Sequence, residues 1–186
     1  MFVGERCFEG TRSFSTQGID KAILNLFRMY AKMGNQEIFF ESSSSKDPLT
    51  YQDPDGYGEE SDISGFATLA GNRQLAVLIY NHHDDWDMAA TTGIEVDIEC
   101  LTFAGQELVL HHYRIDQNHS NAYAEWLHQG RPMYPAPGQR VAIKARDGLE
   151  LLEPAQKLLP DEGKITLNFD LPVHGISLLI IGPNLA

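Results

Sequence analysis

Ile94-Glu95-Val96-Asp97-Ile98-Glu99-Cys100 decides the fold class. Successive side chains of an extended chain point to opposite faces, so this stretch puts Ile94, Val96, Ile98 and Cys100 on one face and three carboxylates on the other. A strand of that kind belongs to a sheet with one buried and one wet face. The same period of two recurs downstream in Ile165, Leu167, Phe169 and Leu171. Apolar runs at residues 38–40, 75–80, 108–115 and 177–181 read as further strands, with Ala104-Gly105-Gln106 as a short hairpin-like connection before residue 108. Strands that follow one another without helices between them form antiparallel sandwiches. Upstream, the period is that of a helix: Ile23, Leu24, Phe27, Tyr30 and Ala31 recur at spacings of three and four. The expected helix covers residues 21–33, with Asp20 as cap and Gly34 as the left-handed residue after the last turn. The expectation is a mainly β chain, an antiparallel β-sandwich preceded by one amphipathic α-helix.

Composition narrows the function classes. The chain has 186 residues, 14 Lys plus Arg against 26 Asp plus Glu, and a net charge of −12. A surface this negative repels phosphate backbones, and no basic cluster offsets it, so no nucleic-acid partner is expected. No apolar run reaches the ~20 residues that cross a bilayer, and no membrane partner is expected. Glu5, Arg6 and Glu9 stand where a secretory leader would be apolar, so a cytoplasmic location is expected. Cys7 and Cys100 are too few for a disulfide framework or a zinc site, and Cys100 reads as a small core residue.

Residues 42–65 form a long acidic connection rich in serine. Asp53, Asp55 and Gly56 open it like a calcium loop, but the twelfth position from Asp53 is Ser64 rather than glutamate, which favours a mobile acidic loop. His82-His83-Asp84-Asp85-Trp86-Asp87 resembles a metal site only superficially: neighbours on a strand point apart, so His82 and His83 do not share one ion. His111 and His112 face apart for the same reason, and no nucleophile elbow accompanies them. No metal and no cofactor is expected. Residues 116–132 differ in kind. Asp116, His119, Asn121, Tyr123, Trp126 and Arg131 crowd planar polar and aromatic groups into one connection, with Ser120 as cap of a short helix. Aromatic faces and directional polar groups suit a sugar ring, and they equally suit a structural plug with Tyr123 and Trp126 tucked under the loop.

Four stretches in order carry a family resemblance: Gly18-Ile19-Asp20-Lys21 running into Leu24-Asn25-Leu26-Phe27-Arg28-Met29; Tyr80-Asn81-His82-His83-Asp84-Asp85; Arg114-Ile115-Asp116 with His119-Ser120-Asn121-Ala122-Tyr123, Trp126, Gly130 and Pro132; and Leu171-Pro172 with Gly175-Ile176-Ser177-Leu178-Leu179. The chain resembles the C-terminal portion of glycoside hydrolase family 39, which holds β-xylosidases and α-L-iduronidases. It departs from the family at Ala22, Arg131 and Met133 and in a short stretch between Glu9 and Thr16.

The resemblance implies a (β/α)8 barrel with a β-sandwich beside it. Residues 1–34 would be the end of the barrel, its last loop and helix, and residues 35–186 the accessory sandwich. Retaining glycosidases use two carboxyl groups about 5–5.5 Å apart. The resemblance places both glutamates upstream of Met1, so no catalytic residue is assigned in this chain and the chain alone is expected to be inactive. Glu5 and Glu9 are not promoted to nucleophile. The parent would act on β-xylosides, in xylan degradation, with Asp116, His119, Asn121, Tyr123 and Trp126 as candidate substrate-binding residues. The expected partners are xylosides through that parent, the missing barrel, and a second copy of the chain as an alternative cover for the helix. The competing reading is a free-standing carbohydrate-binding or assembly module without catalysis.

Overall fold

The computed structural model describes residues 6–8, 13–47, 60–71, 73–99 and 105–183. The acidic loop around Asp53 and Asp55, the carboxyls Glu5 and Glu9, and Cys100 lie outside the described residues. The chain divides into two compact units, residues 1–32 with 113–152, and residues 33–112 with 153–186.

The larger unit is the sandwich. One sheet runs in the order β3 (Gln36–Ile38), β4 (Asp62–Leu69), β5 (Leu75–His82), β11 (Ile176–Pro183), β7 (Leu108–Ile115), with β9 (Gln156–Leu158) also paired to β7. The other pairs β6 (Thr91–Ile98) with β10 (Ile165–Pro172), antiparallel, setting Ile94 opposite Phe169, Val96 opposite Leu167 and Ile98 opposite Ile165. Burial along β6 alternates residue by residue as its sequence requires. These side chains pack with Ile63, Val77, Ile79, Leu179 and Ile181 of the first sheet into one core. On the wet face, Thr166 donates to Asp97 at 2.7 Å and Lys164 pairs with Glu99 at 2.7 Å. β5 lies between β4 and β11 and is buried without alternation from Leu75 to Ile79, which is why its sequence is a continuous apolar run. β4 was not anticipated, because Ser64, Gly65 and Thr68 dilute its pattern.

The smaller unit holds a tight hairpin of β1 (Ser15–Thr16) and β2 (Ile19–Asp20), then α1 (Ala22–Tyr30), α2 (Ala122–His128), α3 (Pro137–Lys144) and β8 (Glu150–Leu151), which pairs with the last part of β7. Its core is Cys7, Ile19, Ala122 and Ile143, with Phe8 and Trp126 packed on it.

Three local expectations are corrected. α1 starts with Lys21 at the N-cap, and Asp20 instead pairs with Arg28 at 2.5 Å. Gly34 is absent from the left-handed positions. Its missing side chain is needed for space, since a Cβ there would stand 2.3 Å from the carbonyl of Leu69. The third correction is the buried face of α1. Asn25 and Met29 are fully buried, whereas Ile23, Phe27 and Tyr30 are 43%, 48% and 44% exposed. Helical periodicity finds the apolar stripe but not which side the unit covers.

Candidate functional site

The segment after β7 is shaped by buried polar groups of the smaller unit. Arg114 is buried at the strand end, and its guanidinium reaches Asp116 Oδ2 at 3.4 Å. Asp116 Oδ1 accepts from the Asn118 backbone N–H at 2.6 Å and meets His119 Nδ1 at 2.9 Å, while the Asp116 N–H donates to the His119 carbonyl at 3.2 Å. One carboxylate therefore closes the turn twice, as short polar side chains do in turns.

Ser120 follows in the left-handed region, with φ of 53°. Its hydroxyl donates to the Arg114 carbonyl at 2.6 Å and accepts from the Glu150 N–H at 2.8 Å, and its own N–H donates to Glu150 Oε2 at 2.6 Å. It is thus a buried clasp between the turn and β8. The cap of α2 is Asn121, whose Oδ1 accepts from the N–H groups of Tyr123 and Ala124 at 3.2 and 3.4 Å. The amide's Nδ2 donates back to the Asp116 carbonyl at 3.1 Å. From α1, Asn25 Nδ2 donates to the Ser120 carbonyl at 2.8 Å, tying the first helix to the same turn.

Beyond the cap, three aromatic rings make a triangle. Phe8 lies 5.4 Å from Tyr123 and 5.3 Å from Trp126, and Tyr123 lies 5.4 Å from Trp126, all between ring centroids and all tilted or edge-on. The Trp126 indole N–H donates to the Pro132 carbonyl at 2.9 Å, which fixes the return of the chain after α2.

Beside this scaffold lies an open groove of about 650 Å³, whose walls include Asn118, Asn121, Tyr123, Glu125, His128 and Arg146. Of the sequence candidates, the structure brings Asn121 and Tyr123 to the groove. Asp116 and His119 brace the turn behind it, and Trp126 packs inward on Phe8. Glu125 and His128 were missed, although Asn121, Glu125 and His128 share one face at helical spacing, a signal available once α2 is placed. Arg146 was missed because only tertiary folding brings a residue after α3 here; it forms an ion pair with Glu150 at 3.1 Å. Glu125 Oε1 accepts from Gln129 Nε2 at 2.7 Å, which steadies its carboxylate. The groove offers amide, imidazole, carboxylate and guanidinium groups beside one aromatic ring. Such a set can hold a polar, hydroxyl-bearing ligand by hydrogen bonds.

The histidine runs are resolved individually. His112 is buried, with Nε2 2.9 Å from Ser177 Oγ and its ring edge-on to Phe169 at 4.6 Å. His83 is buried and its Nδ1 accepts from the Asp85 N–H at 2.9 Å, whereas His82 is exposed. Among the described residues, no group of three His, Cys, Asp or Glu side chains could hold a metal ion. Cys7 is buried, and that burial raises its thiol pKa against the opposing pull of Arg140. Among the described residues, no helix is long and apolar enough to cross a membrane.

The family model of glycosyl hydrolases family 39 matches residues 8–149. Among solved structures, a bacterial orthologue of human α-L-iduronidase has a TM-score of 0.74 at 16% identity, over 90% of this chain and 28% of its own. A monomeric β-xylosidase from Caulobacter crescentus gives 0.66 at 14% identity, over 91% of this chain and 32% of its own. A family 39 enzyme from Xanthomonas axonopodis pv. citri gives 0.56 at 12% identity, over 64% and 26%. At these identities the likeness is one of fold. The chain spans less than a third of the length of each of these relatives. None of the curated proteins matches it.

Proposed function

This chain belongs to glycosyl hydrolase family 39, and from that premise we propose that it is the C-terminal β-sandwich part of a retaining enzyme of the β-xylosidase type. The observation that carries the reading is the family match over residues 8–149, which takes in α1, most of the sandwich strands and the groove of the smaller unit. Retention needs a general acid/base and a nucleophilic carboxylate about 5–5.5 Å apart. In this reading both stand on a (β/α)8 barrel outside this chain, and residues 1–34 are the end of that barrel. Barrel enzymes place their chemistry at the C-terminal ends of barrel strands, so a neighbouring module reaches substrate only through a loop. Residues 116–132 supply that loop, with Asn121 and Tyr123 as the side chains that face substrate.

A half-exposed apolar face supports the larger assembly. Phe14, itself exposed, packs edge-on against Phe27 at 5.3 Å, and Ile23 and Tyr30 lie on the same helix. Covering side chains of this kind is worth roughly 1.5–3 kcal/mol each when burial is complete. In the proposed parent, the barrel covers them.

The test is hydrolysis of an aryl β-xyloside by the purified chain. Turnover indistinguishable from buffer is expected. Measurable turnover that disappears in Glu5→Gln or Glu9→Gln would place the nucleophile in this chain and overturn the reading.

A further inference from the structure

We propose that the sandwich unit carries a second carbohydrate-docking platform, formed by Trp86 stacked on His174, beside His82 and in the connection that also carries Asp84 and Asp87. The proposal rests on the glycoside-hydrolase reading for its ligand class, and on the geometry of two turns for its site.

Trp86 lies in the connection between β5 and β6 and is 85% exposed. A single exposed apolar side chain needs no explanation. This one is held in place. Its ring stacks on His174 at 5.8 Å with only 20° between the planes, and His82 meets the same imidazole edge-on at 6.1 Å. His174 sits in the turn between β10 and β11, which is fastened to the sandwich by its backbone. The His174 N–H donates to the Asn81 carbonyl at 2.7 Å, the Asn81 N–H to the Gly175 carbonyl at 3.0 Å, and the Val173 N–H to the Ala90 carbonyl at 2.9 Å. The Trp86 turn is fastened as well: Asp85 Oδ1 accepts from the Asp87 N–H at 2.9 Å, and the Asp85 carbonyl stands 3.1 Å from His174 Nε2. A stacked indole on a braced turn has little rotamer freedom left to lose, which lowers the cost of binding.

A second observation is independent of the stack. His174 has φ of 63°, the left-handed region where glycine is the default residue. Gly175, next in the chain, is not in that region. The turn keeps an imidazole at the position where glycine would fold more easily, and strain of that kind gathers where a side chain is used.

The chemistry selects a sugar. Stacking on one face leaves the other indole face for the CH face of a pyranose. Asp84 and Asp87 are exposed neighbours of Trp86 in the same connection, and their carboxylates are acceptors suited to sugar hydroxyls. A neutral glycan of pyranose units presents both the CH face that the indole takes and the hydroxyls that the carboxylates take.

Affinity electrophoresis through soluble β-1,4-xylan tests this, with the full chain, Trp86→Ala, and His174→Gly. The glycine variant removes the ring while relieving the left-handed backbone, and its Tm measured beside the parent's separates loss of the ring from loss of the fold. Retardation of the parent is expected, with at least a tenfold loss of affinity in Trp86→Ala and a clear loss in His174→Gly. Equal retardation of parent and Trp86→Ala overturns the proposal, as does a parent that xylan does not retard. Retention of an arginine-rich peptide in place of xylan overturns the ligand class. These outcomes leave the hydrolytic reading standing, because that reading is decided by the aryl β-xyloside assay.

Discussion

Asn25 offers the sharpest test of how the smaller unit is held together. It stands on α1 among residues whose apolar spacing invites attention to Phe27, yet it is fully buried and Phe27 is half-exposed. Its Nδ2 donates to the carbonyls of Ser120, Asp147 and Gly148 at 2.8, 3.1 and 3.2 Å, and its Oδ1 accepts from Arg28 Nη1 at 2.6 Å. An amide nitrogen has two hydrogens, so the three carbonyls share about two full bonds. At about 1 kcal/mol for each of these, and about 1.5 kcal/mol for the bond to a partly solvated cation, Asn25→Ala costs about 3.5 kcal/mol before any cavity. Asn25→Asp keeps the shape and the partner Arg28 but turns an oxygen toward three carbonyls, so it is expected to cost at least as much. Phe27→Ala removes a half-wet ring and is expected to cost less than half of the Asn25→Ala value in the isolated chain. Thermal unfolding followed by circular dichroism reads these as a fall in Tm of roughly 7–14 °C for Asn25→Ala, at 2–4 °C per kcal/mol for a chain of this size. If Phe27→Ala lowers Tm more than Asn25→Ala, the buried side of α1 has been assigned wrongly.

Gly34→Ala forces a Cβ to within 2.3 Å of the Leu69 carbonyl and is expected to destabilise by about 1–3 kcal/mol in urea titration, although Gly34 is not left-handed. Asn121→Ala removes the cap of α2 and Trp126→Phe removes the bond to Pro132, so each should lower stability by about 1 kcal/mol. In a parent enzyme carrying both catalytic carboxyls, Asn121→Ala should also raise KM for an aryl xyloside, whereas Trp126→Phe should leave it unchanged. Tyr80 donates to Asp62 Oδ2 at 2.9 Å, and partial burial followed by that neighbouring carboxylate raises its phenol above the usual value near 10. A raised folded pKa means the folded chain holds the proton more tightly, so this contribution is complete below about pH 10 and is lost as pH rises through the folded value. The Tm advantage of the parent over Tyr80→Phe should therefore shrink above pH 10, as measured by unfolding across that range.

How much was legible before folding differs between the two units, for a physical reason. The sandwich was readable because strand burial is a local property: period two in Ile94, Val96 and Ile98, or an unbroken run in residues 75–79, follows from how many faces a sheet covers. Of the eight-residue strands, β4 is the one lost to the reading, and there Gly65 lies against the backbone of Leu78, so close approach overrode the hydrophobic pattern. The helix α1 and the helical character after Asn121 were equally local, as was the concentration of planar polar side chains between Asp116 and Trp126. Which of those side chains would meet in a groove was not. Asn121 reaches it because it caps α2, and Asp116 does not because it spends its carboxylate on the Asn118 and His119 turn. The burial of Asn25, the clasp between Ser120 and Glu150, and the seat of Trp86 on His174 each join residues far apart in the chain. Sequence alone determines periodicity and composition, and with them fold class and candidate segments. Pairing between distant residues depends on which surfaces the folded chain brings into contact, and only the tertiary structure decides that.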